Sequence, residues 1–373
     1  MPRNIVVCCD GTANEFERDK TNVLKLYSVL AHNGAQATYY HPGLGTMEAA
    51  GALSSVGRKA TKLMGKAIGY GLQADIRDTY VFLMRHHEPG DRLYLFGFSR
   101  GAFTVRAIAA MLHMYGLIRK ENEALVPYAV RMLTTIDKAQ GARDPKPAFA
   151  EALKLAREFR KTFASVPCKP YFVGLWDCVS SVGWIENPLK IPYSSNNPSI
   201  EIGRHAVSID ERRAFFRTNL WRPASSGPSG PKDLQQVWFP GVHSDVGGGY
   251  PEAESGLSKI ALRWMCIEAT QKGLEINKDR FEEILGEGSS NYAPPDPAAM
   301  MHVSLQGGWR LAEYIPKRHW SWQHGEWRRR MNRSRARTIP GGALIHDSAY
   351  QRGDAYAAKL PADALRVSDH PDA

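Results

Sequence analysis

Gly97-Phe98-Ser99-Arg100-Gly101 sets a serine between two glycines. The apolar run Leu93-Tyr94-Leu95-Phe96 precedes it and a segment of helical periodicity follows. A strand–turn–helix corner of this kind presents a hydroxyl at the tip of a tight turn, and the glycines let helix and strand approach. The backbone N–H of Arg100 then stands at a helix N-terminus, aimed where an oxyanion would develop. The plain reading of the same residues is a glycine-rich turn with an ordinary N-cap serine.

A serine hydroxyl is a weak nucleophile at neutral pH. It needs a base to take its proton and an acid to orient the base. In hydrolases built on such a corner the chain order is Ser, Asp or Glu, then His, with both partners at strand ends. Asp177 closes the apolar run Pro170–Asp177 and suits the acid, and His243 follows Gln235–Val242 and suits the base. Asp245 and His346 also lie at strand ends and stay open as replacements. Structural roles stand beside these: a helix cap for Asp177, a satisfied core histidine for His243.

The first strand-like run ends Cys8-Cys9-Asp10-Gly11-Thr12-Ala13-Asn14. The amides of Gly11 and Thr12, with that of Arg100, are the expected oxyanion donors. Asp10 and Asn14 are expected to hold the turn through side-chain hydrogen bonds. Gly97, Gly101 and Asp245 complete the supporting set. A phosphatase of the haloacid-dehalogenase type would need an Asp where Cys8 stands, so that reading lacks its nucleophile. Gly247-Gly248-Gly249 could cradle a phosphate, but no Lys-[Ser/Thr] follows, which excludes a P-loop. No HExxH, paired-Cys set or EF-hand loop occurs, so neither a metal nor another cofactor is expected.

These residues need a frame to hold them. Strand-like runs at Asn4–Asp10, Thr38–Gly45, Arg92–Phe98, Pro170–Asp177, Gln235–Val242 and Ala343–His346 alternate with helical patterns at Asn22–Asn33, Ile68–His87, Ala102–Tyr115, Glu121–Ile136, Pro147–Phe163 and Leu257–Gly273. Such alternation of apolar strands and helices predicts an α/β fold, α/β-hydrolase-like, with a mostly parallel central sheet covered by helices on both faces. Breaks at Gly183–Pro198, Ala224–Pro231 and Gly286–Pro297 read as loop insertions, and the Pro- and aromatic-rich stretch Val182–Tyr193 as a lid or a packing loop. The expected organisation is a single catalytic domain over 1–356 and a weakly ordered tail over 357–373.

The 373 residues carry a net charge of +10, with 43% hydrophobic residues. That apolar share excludes a largely disordered chain, and no run of about 18 apolar residues predicts a membrane span. The N-terminal apolar run is too short for a signal peptide, and the five cysteines show no framework spacing. A cytoplasmic protein with reduced thiols is the expectation. Six of the arginines fall within Trp327–Thr338 (WRRRMNRSRART). This segment reads as a solvated face, an anionic-membrane contact or a nucleic-acid arm. No nucleic-acid-binding signature accompanies it, so no specific nucleic acid is expected.

CCDGTAN at 8–14, GFSRGA at 97–102, GLWDCVSSVG at 174–183, SIDERRAFF at 208–216 and WFPGVHSDVGGGY at 238–250 occur together in one order. The set resembles the catalytic domain of the type VI secretion phospholipase effector family, the Tle1-like α/β-hydrolases. The resemblance implies hydrolysis of phospholipid acyl esters through an acyl-enzyme, with Ser99 as nucleophile, Asp177 as acid and His243 as base. It also implies delivery by a non-Sec secretion system and leaves a secretion-system or immunity partner to be identified. The alternatives are a soluble carboxylesterase on small esters and a non-enzymatic, hydrolase-like interaction protein.

Overall fold

A computed structural model describes residues 2–11, 19–43, 55–140, 145–164, 167–179, 183–184, 187–188, 191–221, 230–307, 309–321 and 326–369. Its strands are β1 (Asn4–Cys9), β2 (Gln36–His41), β3 (Arg92–Phe98), β4 (Pro170–Trp176), β5 (Gly183–Trp184), β6 (Asn187–Pro188), β7 (Ile202–Ser208), β8 (Asp233–Phe239), β9 (Lys317–Ser321), β10 (Glu326–Arg330), β11 (Leu344–His346) and β12 (Leu365–Val367). The α-helices are α1 (Asn22–Val29), α2 (Ser55–His86), α3 (Arg100–Tyr115), α4 (Val126–Gln140), α5 (Pro145–Phe163), α6 (His243–Gly247), α7 (Gly256–Gln271), α8 (Lys278–Ile284), α9 (Trp309–Ala312) and α10 (Asp354–Ala357).

Eight strands form one sheet in the order β12-β11-β8-β7-β4-β3-β1-β2, every neighbouring pair parallel. The continuous apolar runs of β1 and β3 are what such a sheet demands, because both of its faces are covered. Side chains alternate between the two faces. Ile5, Val7, Cys9, Leu93 and Leu95 enter one core with α2, α3, α4 and α5. Val6, Cys8, Tyr94, Phe96 and Phe98 enter the other with α1, α7 and α8. This is the α/β class and the two-faced parallel sheet expected of the sequence.

Strand order also fixes where a site can open. From β1 the chain crosses to β2 on one side, and from β3 it crosses to β4 on the other. Helices α1 and α3 accordingly cover opposite faces. Diverging connections leave a crevice at the carboxyl ends of β1 and β3, a topological switch point. Asp10 and Ser99 stand at those two ends.

Three regions differ from expectation. The sequence reading contains no strand at 202–208, because Arg204 and His205 interrupt its apolar pattern. Both are buried in β7, where Arg204 pairs with Asp233 and Glu268 and the His205 ring accepts the Cys178 N–H. Part of the arginine-rich segment forms β10, paired antiparallel with β9. The stretch after 356, expected to be weakly ordered, supplies β12 to the sheet edge, and Asp369 pairs with Arg263 and His346. A three-residue strand is too short to register as periodicity. Of the stretch 182–193, residues 182, 185–186 and 189–190 lie outside the described residues.

Candidate active site

The turn after β3 is held by steric fit. Ser99 has φ 58° and ψ −117°, a left-handed conformation that costs a non-glycine residue energy and persists only where the surroundings enforce it. Its N–H donates to the Trp176 carbonyl at 3.1 Å. A Cβ on Gly97 would lie 2.6 Å from the Gly101 carbonyl oxygen, and one on Gly101 only 2.1 Å from that of Cys9. Only glycine at both positions lets α3 start this close to β1 and β3. Arg100 opens α3, so its amide has no helical acceptor. Its side chain donates from Nε to the Gly11 carbonyl at 3.0 Å, tying the β1 turn to the elbow.

Asp177 follows β4 directly and is wholly buried, with φ 38°. Its Oδ1 accepts the Ser208 N–H at 2.9 Å, and its Oδ2 lies 2.5 Å from His243 Nδ1. His243 begins α6, and its Nε2 lies 2.8 Å from Ser99 Oγ. A carboxylate only accepts, so Nδ1 carries the proton and Nε2 of the neutral ring accepts from the serine hydroxyl. The ring packs against Phe98 and Phe216, with centroids at 4.6 and 4.8 Å. Its backbone N–H donates to Glu211 at 3.2 Å. A Cβ on Gly247 would collide with the Phe98 ring at 1.9 Å, so the first glycine of the triplet lets α6 lie on the elbow.

The environment separates the charge states. Burial lowers the His243 pKa, and the bond and charge of Asp177 only partly oppose this. Burial alone would raise Asp177, but the Arg337 guanidinium and His243 outweigh it and hold it well below the ordinary carboxylate range. An ionised acid beside a neutral imidazole is what a general base requires. Glu211 is lowered to about 2: burial opposes ionisation, but Arg213, bonded to it, prevails.

The other expected residues fall into place unevenly. Asp10 holds its turn, accepting from Gly11 N–H at 2.7 Å, Thr21 Oγ at 2.5 Å and Tyr40 Oη at 2.9 Å. The Gly11 amide, expected as an oxyanion donor, is therefore engaged by Asp10. Thr12 and Asn14 lie outside the described residues. Asp245 accepts the Val242 N–H and both the N–H and Nδ1 of His302, which makes it a brace for α6 rather than a partner of Ser99. His346 bonds to Ser348 and Asp369, within a third core around β11. Arg337 does not stand out in the sequence, where it belongs to the arginine-rich segment, and neither do Ser208, Glu211, Arg213 and Phe216, although all four lie within SIDERRAFF. Among the described residues no group of three or more His, Cys, Asp or Glu could hold a metal, and no helix is long and apolar enough to cross a membrane.

The chain is similar to several known proteins. An uncharacterized protein of Saccharomyces cerevisiae is 37% identical over 230 residues, covering 59% of this chain and 33% of that protein. The chain thus matches only about a third of that relative's length. Two solved structures are similar at lower identity. An uncharacterized protein from Pseudomonas aeruginosa is 20% identical, with TM-score 0.44, covering 74% of this chain and 46% of that one. The Tle1 effector bound to the VgrG spike of the type 6 secretion system is 17% identical, with TM-score 0.31, covering 69% and 53%. The family model "T6SS, Phospholipase effector Tle1-like, catalytic domain" matches residues 3–268, well over half of the sequence, and the chain belongs to that family.

Proposed function

We propose that the protein is a serine ester hydrolase that cleaves phospholipid acyl esters through an acyl-enzyme. The observation that carries the chemistry is the continuous relay from Ser99 Oγ to His243 Nε2 at 2.8 Å and from His243 Nδ1 to Asp177 at 2.5 Å. Family membership carries the lipid half of the reading. His243 takes the Ser99 proton as Oγ attacks the acyl carbonyl. The oxyanion meets the Arg100 N–H at the start of α3, and Asp177 stabilises the imidazolium. The proton then passes from His243 to the departing alcohol. Water, deprotonated by the same nitrogen, releases the fatty acid and regenerates Ser99.

A phospholipid substrate lies at an interface, and the protein has a surface suited to one. Arg328, Arg329, Arg330, Arg333 and Arg335 are exposed. Leu311 and Tyr314 are exposed apolar residues, and the neighbouring Glu313 carbonyl binds the amides of Asn332 and Arg333. Apolar and cationic groups side by side suit contact with an anionic membrane. Family membership also supports delivery by a type VI apparatus, with its own secretion or immunity partner.

The test is turnover of phospholipid vesicles and short p-nitrophenyl esters by purified protein, beside Ser99→Ala. Fatty-acid release from phospholipid is expected, with a loss on the order of 10⁴-fold or more in Ser99→Ala at unchanged fold. A fluorophosphonate probe should label wild type and spare that variant. Turnover of short esters alone would favour the soluble carboxylesterase. Absence of both turnover and labelling would leave a hydrolase-like interaction protein.

A further inference from the structure

We infer that Arg337, which lies beyond the region matched by the family model, is a positioning residue that orients Asp177 and offsets its charge, an inference that rests on the triad reading above. Nη1 donates to Asp177 Oδ1 at 2.5 Å and Nη2 to Oδ2 at 3.1 Å, so the guanidinium grips both carboxylate oxygens. The same two nitrogens reach the Ser208 carbonyl at 3.1 Å, Ser208 Oγ at 2.6 Å and the Phe216 carbonyl. The Arg337 side chain is 6% exposed, although the exposed Arg333 and Arg335 precede it by a few residues.

The chemistry explains why a buried acid needs this partner. With His243 neutral, the wholly buried Asp177 would carry a lone negative charge, and an unpaired buried charge is strongly disfavoured. Arg337 cancels that charge while leaving Oδ2 shared with His243 Nδ1. Its planar fork also fixes the plane of the carboxylate, which a single ammonium does not. The Ser208 and Phe216 carbonyls anchor the fork, so the acid is clamped from β7 and from the loop that packs Phe216 on His243.

The other charged and titratable groups near the pair are Glu211 and Arg213 beside His243, and His205, Cys178 and Arg106 around Asp177. Substituting Arg337 leaves all of them in place. The test uses the full chain, a soluble short-chain ester, and kcat per active site titrated with fluorophosphonate. Arg337→Gln is expected to lower kcat on the order of 10²-fold with KM within about twofold, the cost of a misplaced relay. The acidic limb of kcat/KM should move to higher pH, because a cation near the imidazole has been removed. Arg337→Lys should restore the limb but not kcat, since it returns the charge without the fork. If Arg337→Gln fails to fold, Ser208→Ala carries the test, with a several-fold kcat loss at unchanged KM. An unchanged kcat per titrated site and an unmoved limb would overturn the inference. If wild type is not labelled, or Ser99→Ala keeps its activity, the triad reading itself has failed. A dead Ser99→Ala beside a normal Arg337→Gln sinks only the positioning role.

Discussion

Two histidine–aspartate pairs each take one member from the short helix α6, and they share nearly the same contact. His243 Nδ1 lies 2.5 Å from Asp177, and His302 Nδ1 lies 2.6 Å from Asp245. Their remaining ring nitrogens face different chemistry. His243 Nε2 meets the Ser99 hydroxyl, whereas His302 Nε2 meets the Glu254 carboxylate at 2.8 Å. The second ring also stacks on Tyr250 with centroids 3.5 Å apart. Burial lowers His243 more than Asp177 raises it. Burial would lower His302 as well, but Glu254 and Asp245 outweigh it and raise its pKa. Pairing with an aspartate therefore does not define a base. Burial and the third partner decide together: His243 is deeply buried and faces a hydroxyl, which favours a neutral ring, whereas the less buried His302 faces a second carboxylate, which favours a cation.

The largest expected effect breaks the likeness directly. Replacing His243 with Gln should cost on the order of 10⁴-fold in kcat, comparable to Ser99→Ala, if the three residues act as a unit. His302→Gln should cost no more than about tenfold, through loosening of α6. Steady-state assays on a soluble ester, with both variants checked for fold by circular dichroism, decide this. Equal losses would mean that the two pairs work together and that the distinction between them is mistaken.

A similar division by surroundings runs through the arginine-rich segment, and it sets the next effect in size. Arg337 is buried on Asp177, while Arg328, Arg329, Arg333 and Arg335 are exposed. Neutralising those four should weaken binding to anionic vesicles by up to roughly 4 kcal/mol, about 1 kcal/mol for each arginine at the surface, and by less in high salt. Turnover of a soluble ester should be unchanged. Co-sedimentation with anionic and zwitterionic vesicles at two salt concentrations measures this. Binding by wild type that is insensitive to both salt and the substitutions would remove the membrane from the proposal.

What was legible in the sequence follows the range over which each constraint acts. The elbow is local: two glycines four residues apart, a preceding apolar run and a following helix carry its geometry within a dozen residues. The placement of Asp177 and His243 beside Ser99 was legible because both close apolar runs, and parallel strands bring such ends to one edge of the sheet. Strand β7 was hidden because buried Arg204 satisfies its charge through Asp233 and Glu268, 29 and 64 residues away. Arg337 was hidden for the same reason, since its partner Asp177 is 160 residues distant and its sequence neighbours are exposed. Asp245 and His346 look equivalent to Asp177 and His243 in the sequence because position at a strand end does not reveal which way a side chain is braced.

The smallest effect is the sharpest test of the comparison, because the two histidines should show opposite signs. His302 has a raised pKa in the fold. It therefore binds its proton more tightly folded than unfolded, and its contribution to stability is full below the unfolded value of about 6.5 and is lost as pH rises through the folded one. His302→Gln should lower Tm more at mildly acidic than at mildly alkaline pH. His243 has a lowered pKa. Its unfolded form takes up the proton more readily, so wild type loses stability from this group as pH falls through about 6.5. His243→Gln removes that loss, and its Tm relative to wild type should improve towards acid. Thermal unfolding of the three proteins across pH 5 to 9 reads both slopes at once. Slopes of one sign would mean that Glu254 does not set the charge of His302, or that Ser99 and burial do not keep His243 neutral. Opposite slopes would tie each charge state to burial and the group facing Nε2 together, since Nδ1 bears an aspartate in both.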